Sequence, residues 1–208
     1  PGMNGLVKAW AAPLVEDGNV QLQTRVTHIS PDPLKKNGWQ LHTESDDGGQ
    51  HIYAGFDQVI LAIPPAQAQA LLEASGQSAL AEPLKNVRVD PCWTLMLAYP
   101  QAVQPGVITI GPQWNAARST HHRIAWMARE SSKPGRERIE RWTVQASAPW
   151  SAEHVNDTPD RVKGKLMKAF AEITGIRVTP DHAEVHRWLY AKTAQPLGQS
   201  FLWSKAQG

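Results

Sequence analysis

A chain of 208 residues with 41% hydrophobic and 19% charged side chains is long enough to bury a core and too apolar to remain disordered. A formal net charge of +2, with the densest basic group confined to KPGRERIER, excludes the concentrated basic surface of a nucleic-acid binder. No apolar run is long enough to span a bilayer, no signal-peptide pattern opens the chain, and the lone Cys92 forms no internal disulfide. These features predict a cytoplasmic protein with neither a membrane nor a nucleic-acid partner.

The chain opens on PGMNGLVKAW, without an initiator Met, and reads as the middle of a longer protein. Met3, Leu6, Val7 and Trp10 recur at helical spacing, which predicts an amphipathic helix that Pro13 limits. Three strand-like runs follow, NVQLQTRVTHIS, GWQLHTES and HIYAG, separated by the turn residues PDPLKKNG and DDGG. They predict an antiparallel meander. The continuous apolar run QVILAI reads as a strand buried on both faces. Pro64 and Pro65 stop it, and PAQAQALLEAS follows as a helix with Gly76 just past its end.

From about residue 87 the pattern changes to longer strands: PCWTLMLAY, GVITIG, RIAWMARE, RWTVQAS and AEVHRWLYA. One helix interrupts them. Thr158 caps it, Pro159 takes its first turn, Gly175 ends it, and Val162, Leu166, Met167, Phe170 and Ile173 form its apolar face. The class is therefore α+β: an α/β remnant over residues 1–76, an antiparallel sheet under a helix over 77–199, and a short return segment over 200–208.

Self-sufficient catalytic signatures are missing: there is no G-x-G-x-x-G, P-loop, G-x-S-x-G or H-E-x-x-H. His182, Glu184 and His186 alternate, but on a strand the two imidazoles stand about 13 Å apart, too far to share one metal ion. His121 and His122, as strand neighbours, point to opposite faces. Ser132 beside Lys133 lies in turn chemistry, and Cys92 reads as a small buried residue. Nine tryptophans against three Phe and three Tyr suggest either heavy core packing or flat walls for a planar ligand. His186, Trp188 and Tyr190 share one strand face and form a candidate pocket floor. Trp126 and Arg129 take opposite faces of their strand, so at most one of them joins that pocket.

Taken in order, PGMNGLV, TRVTHI, VILAIPPAQAQALL, DPCWTLMLAY, WMARESSKPGR, ASAPWSAEH and HRWLYAKTAQPLG resemble the bacterial renalase-like flavoproteins of the FAD-dependent amine oxidase group. The resemblance implies a p-hydroxybenzoate-hydroxylase-like fold with an incomplete FAD domain. Family members carry a G-x-G-x-x-G unit before the Gly-Met-Asn helix and a Gly-Asp motif after the last residues seen here. Lacking both, this chain alone is expected to hold FAD weakly. The resemblance sets Gly2, Met3 and Asn4 near the flavin, Arg25 and Val26 along the adenosine half, and Ala62, Ile63 and Pro64 beside the dinucleotide. Trp188 and Tyr190 would face the flavin ring, with His186 close by. The implied activity is hydride transfer to FAD from a reduced pyridine-dinucleotide-like compound or an amine, with oxygen as acceptor and no essential base named. Lys133, Arg136 and Arg138 read as a solvated turn or as contacts for substrate phosphates. A catalytically silent scaffold or interaction module is the contrasting expectation, in which VILAI is exposed and drives self-association.

Overall fold

A computed structural model describes residues 4–99, 114–136 and 139–204. Gly2, Met3, the GVITIG segment and Arg138 lie outside the described residues. The chain divides into two compact units, Pro1–Asn86 with Leu197–Gly208, and Val87–Pro196.

The first unit begins with helix α1 (Gly5–Glu16) and a three-stranded antiparallel sheet in the order β1 (Thr24–Pro31), β2 (Trp39–Ser45), β3 (Gln50–Phe56). This is the expected meander. Asp32 pins its first turn: the buried carboxylate accepts the Leu34 N–H at 2.8 Å and the Gly55 N–H at 2.7 Å. Helix α2 (Pro65–Ala74) then packs against β1. Ser75 Oγ joins them, accepting the Ile29 N–H at 2.9 Å and donating to the Leu71 carbonyl at 2.7 Å. A short helix α3 (Ser78–Ala81) and a 3₁₀ turn (Glu82–Asn86) close the unit's first segment.

Two expectations fail here. QVILAI is not a buried strand: residues 58–63 join no ladder, and Ile60 is 82% exposed. A doubly covered strand needs parallel neighbours, and the described residues of this unit form only the antiparallel meander. Within VILAI, Ile60, Ala62 and Ile63 are exposed, while Val59 and Leu61 are half-buried. Helix α1 also runs past Pro13 to Glu16, with the Pro13 carbonyl accepting the Asp17 N–H at 3.0 Å. Proline removes one helical donor and crowds the preceding turn, yet the helix continues. None of its residues is buried, and Trp10 is 71% exposed.

The second unit is a five-stranded antiparallel sheet in the order β5 (Ala116–Arg118), β6 (Ile124–Arg129), β7 (Glu140–Ala146), β4 (Arg88–Tyr99), β8 (His182–Gln195). Alternation sorts its side chains. Trp93, Leu95, Leu97 and Tyr99 of β4, and Trp142, Val144 and Ala146 of β7, are buried on one face. Helix α5 (Pro159–Thr174) covers that face with Val162, Leu166 and Phe170, each contributing about 1.5–3 kcal/mol by burial. Phe170 stacks on Tyr99 and meets Trp142 edge-on. Thr158 caps α5 through its carbonyl, which accepts the Val162 N–H, while its side chain makes no cap bond. Gly175 ends the helix at φ +76°. Helix α4 (Ala148–Glu153), unforeseen in sequence, is capped by Ser147 Oγ, which accepts the Trp150 N–H.

His121 and His122 correct a further expectation. They sit in a bend before β6, not on a strand, and their rings stack with centroids 4.5 Å apart. The bend frees them from strand alternation. His121 Nδ1 accepts the Arg123 N–H, and its Nε2 lies 3.3 Å from Glu172 on α5.

Candidate functional site

The face of the five-stranded sheet opposite α5 carries the candidate pocket residues of β6 and β8. Cross-strand register writes it as rows. Arg118 pairs with Trp126, Trp126 with Gln145, Gln145 with Thr94, and Thr94 with His186, so one row crosses all five strands. Paired residues of an antiparallel ladder point to the same side. Met127 and Val144, their neighbours along the strands, are buried on the helix side, which fixes the row on the open side. A bulge between Ile124 and Trp126 produces this arrangement, turning Trp126 outward while Ile124 stays in the core.

His186 and Trp188 meet edge to face, their centroids 4.3 Å apart, and Trp188 is 54% exposed. A half-exposed indole held against an imidazole, above a sheet whose other face is packed, is a preformed aromatic surface. Tyr190 is 41% exposed. The register of β8 slips against β4 between Trp188 and Lys192, so Tyr190 lies in an irregular stretch instead of continuing a strict alternation. Trp126 stands on the same open face as His186, three strand spacings or about 14 Å across the sheet. It therefore joins the surface as a second aromatic position, not as part of one compact cage.

Arg129 turns the other way, as expected of a residue facing opposite Trp126. Its Nε lies 2.6 Å from Glu140 Oε1 and its Nη2 donates to Oε2 at 2.8 Å. This forked bond to a buried carboxylate holds the Arg129 guanidinium above its ordinary pKa. Cys92, paired with Trp188, is half-buried instead of fully buried, and burial pushes its thiol pKa up, which keeps it an unreactive thiol. Ser132 donates to the Arg129 carbonyl at 2.7 Å, and Lys133 is ion-paired to Glu130. Neither contact makes the two a nucleophile–base pair.

The residues expected near a dinucleotide lie on separate elements of the first unit. Asn4 starts α1 in helical conformation without a side-chain cap bond. Arg25 is exposed and Val26 half-buried on β1, opposite Glu44 and Thr43. Ala62 and Ile63 are exposed in the unladdered segment, and Pro64 opens α2, its carbonyl accepting the Gln67 and Ala68 N–H groups. Sequence reasoning missed Arg118, Gln145 and Thr94. Gln145 was available from the alternation of RWTVQAS, whereas a three-residue strand such as β5 leaves no periodic signal for Arg118.

A family model described as flavin containing amine oxidoreductase matches residues 1–202. Among solved structures, the chain is similar to a putative protoporphyrinogen oxidase from Exiguobacterium sp. 255-15, with 15% identity and a TM-score of 0.63, covering 91% of this chain and 40% of that one. It is similar to cyclohexylamine oxidase from Brevibacterium oxydans IH-35A, with 14% identity and a TM-score of 0.60, covering 86% of this chain and 36% of that one. A cofactor-binding redesign of putrescine oxidase matches at 12% identity and a TM-score of 0.60, covering 88% and 38% of the two chains. At such identities the likeness is one of fold: mixed helix and antiparallel sheet, as in FAD-dependent amine oxidases. The chain spans about two fifths of the length of these structures.

Proposed function

Because the chain belongs to the flavin-containing amine oxidoreductase family, we propose that it forms part of an FAD-dependent oxidoreductase whose substrate meets the open face of the five-stranded sheet. The observation that carries the site is the exposed His186–Trp188 pair, kept out of a core that absorbs Trp93, Trp142 and Trp150.

The residues present fit part of an FAD site. The peptide groups of 58–63 stand outside any ladder, and β1 is the outer strand of its sheet. Both are the kind of unpaired backbone that an adenine edge or a pyrophosphate uses. Asn4, Arg25, Val26 and Ala62–Pro64 would hold the group together with the rest of the FAD domain. The flavin, when bound, supplies a two-electron acceptor that oxygen regenerates. An amine R–CH₂–NH₂ then loses two electrons and two protons to give an imine, while oxygen takes both pairs and leaves as hydrogen peroxide. A reduced pyridine, the narrower renalase-like reading, loses a hydride and becomes a pyridinium. Trp188 and Tyr190 stack and orient the reacting head, His186 fixes the indole edge-on, and the apolar surface excludes water.

The contrasting scaffold reading is less favoured, because the family match runs over the substrate-facing sheet as well as the first unit. The test is made on the full-length protein. Purified protein should show a flavin spectrum, and Trp188→Ala should raise KM about tenfold, as expected for loss of one stacked aromatic contact, with the flavin retained. A full-length protein that neither carries nor takes up flavin would establish the scaffold.

A further inference from the structure

We propose that the substrate carries a carboxylate or phosphate at the end remote from its reacting head, and that Arg118 receives it. The inference rests on the open face being the substrate surface and adds a charge and a length to that reading. Arg118 is exposed and paired in register with Trp126, while its neighbour Ala117 pairs with the buried Met127, so the guanidinium belongs to the open face. Beyond the backbone pairing of β5 with β6, its guanidinium has no hydrogen-bond or ion-pair partner among the described residues.

Of the carboxylates on or reaching this face, Glu130 and Asp90 are paired to cations, and Glu184 has a charged partner only when His182 is protonated. Glu184 lies 3.5 Å from His182. Glu130 accepts from Thr143 and is ion-paired to Lys133. Asp90 is paired to Arg88 at 2.6 Å. An anion therefore finds a free forked donor at the β5 edge, whereas a second cationic end on the substrate would meet a like charge. Arg118 and His186 are the two ends of one row, four strand spacings or about 19 Å apart. A head on the His186–Trp188 pair and an anion on Arg118 require an elongated molecule with the apolar span crossing Trp126.

The experiment titrates the full-length protein with 12-aminododecanoate, dodecylamine and 1,12-diaminododecane, reading tryptophan fluorescence. 12-Aminododecyl phosphate separates a phosphate preference from a carboxylate one. The acid-tailed compounds should bind at least tenfold more tightly than dodecylamine, and the diamine more weakly. Arg118→Gln should bring the acid-to-amine ratio to about one, and Arg118→Lys should restore part of it. Trp188→Ala should weaken all the compounds. If Trp188→Ala weakens them but the ratio is already one in the wild type, the anionic tail is overturned and the substrate surface stands. If Trp188→Ala changes nothing, or no compound binds, the surface reading falls and this inference with it.

Discussion

Tyr99 shows how much one residue's position decides. It ends β4 on the helix side, stacked on Phe170, and burial pushes its phenol pKa up to about 12. An unfolded tyrosine titrates near 10, so below that pH the group places no pH-dependent load on folding. As pH rises from about 10 toward 12 the unfolded chain loses the proton and the folded chain keeps it, so stability falls across that window. Tyr99→Phe should flatten the loss, read as urea midpoints at pH 9 and pH 11 for both proteins. A Tyr99→Phe midpoint that drops as steeply as wild type would show that the phenol is not the group responsible. Parity made much of this scale legible: Trp142 and Val144 alternate with Thr143 and Gln145, so the buried and open faces of β7 can be read from its letters. Trp188 was legible as a face-mate of His186 from the alternation of β8, but its exposure was not, because it depends on α5 packing on the opposite face, where Ala183 and Val185 meet the core.

At the scale of elements, α5 was the clearest prediction and α1 with residues 58–63 the poorest. The difference is whether an element carries its own reasons. Helix α5 has an apolar stripe, a proline in its first turn and a left-handed glycine stop, and the sheet beneath it supplies what the stripe needs. Its two glycines should respond in opposite directions. Gly164 is an exposed interior position where a Cβ meets nothing within 4 Å, so Gly164→Ala should add about 0.5–1 kcal/mol. Gly175 is equally uncrowded but sits at φ +76°, so Gly175→Ala should cost about 1–2 kcal/mol. Urea denaturation of the two variants checks both signs. The run at 58–63 has strand composition but depends on neighbours that composition cannot supply, and α4 escaped notice because six residues are too few for a periodic signal.

At the scale of the whole molecule, the two units differ in how well each covers its apolar surface. In the second unit most large apolar side chains are inside, whereas Leu6, Val7, Trp10, Ile60 and Ile63 of the first unit, with Phe201 and Trp203, are exposed. The 208-residue chain by itself should therefore self-associate. Sedimentation velocity should show a coefficient that rises with concentration, and the pair Trp10→Lys and Ile60→Lys should lower it. A monodisperse monomer across the range would contradict this. The two-sided sheet has a different consequence. On β7, adjacent letters serve separate demands, since Gln145 meets the outside while Val144 holds α5. Exchanging an outward letter alters what the surface greets and leaves the clamp behind it intact. Drift in specificity and retention of foldedness can thus proceed on alternate positions of the same strand, each nearly blind to the other.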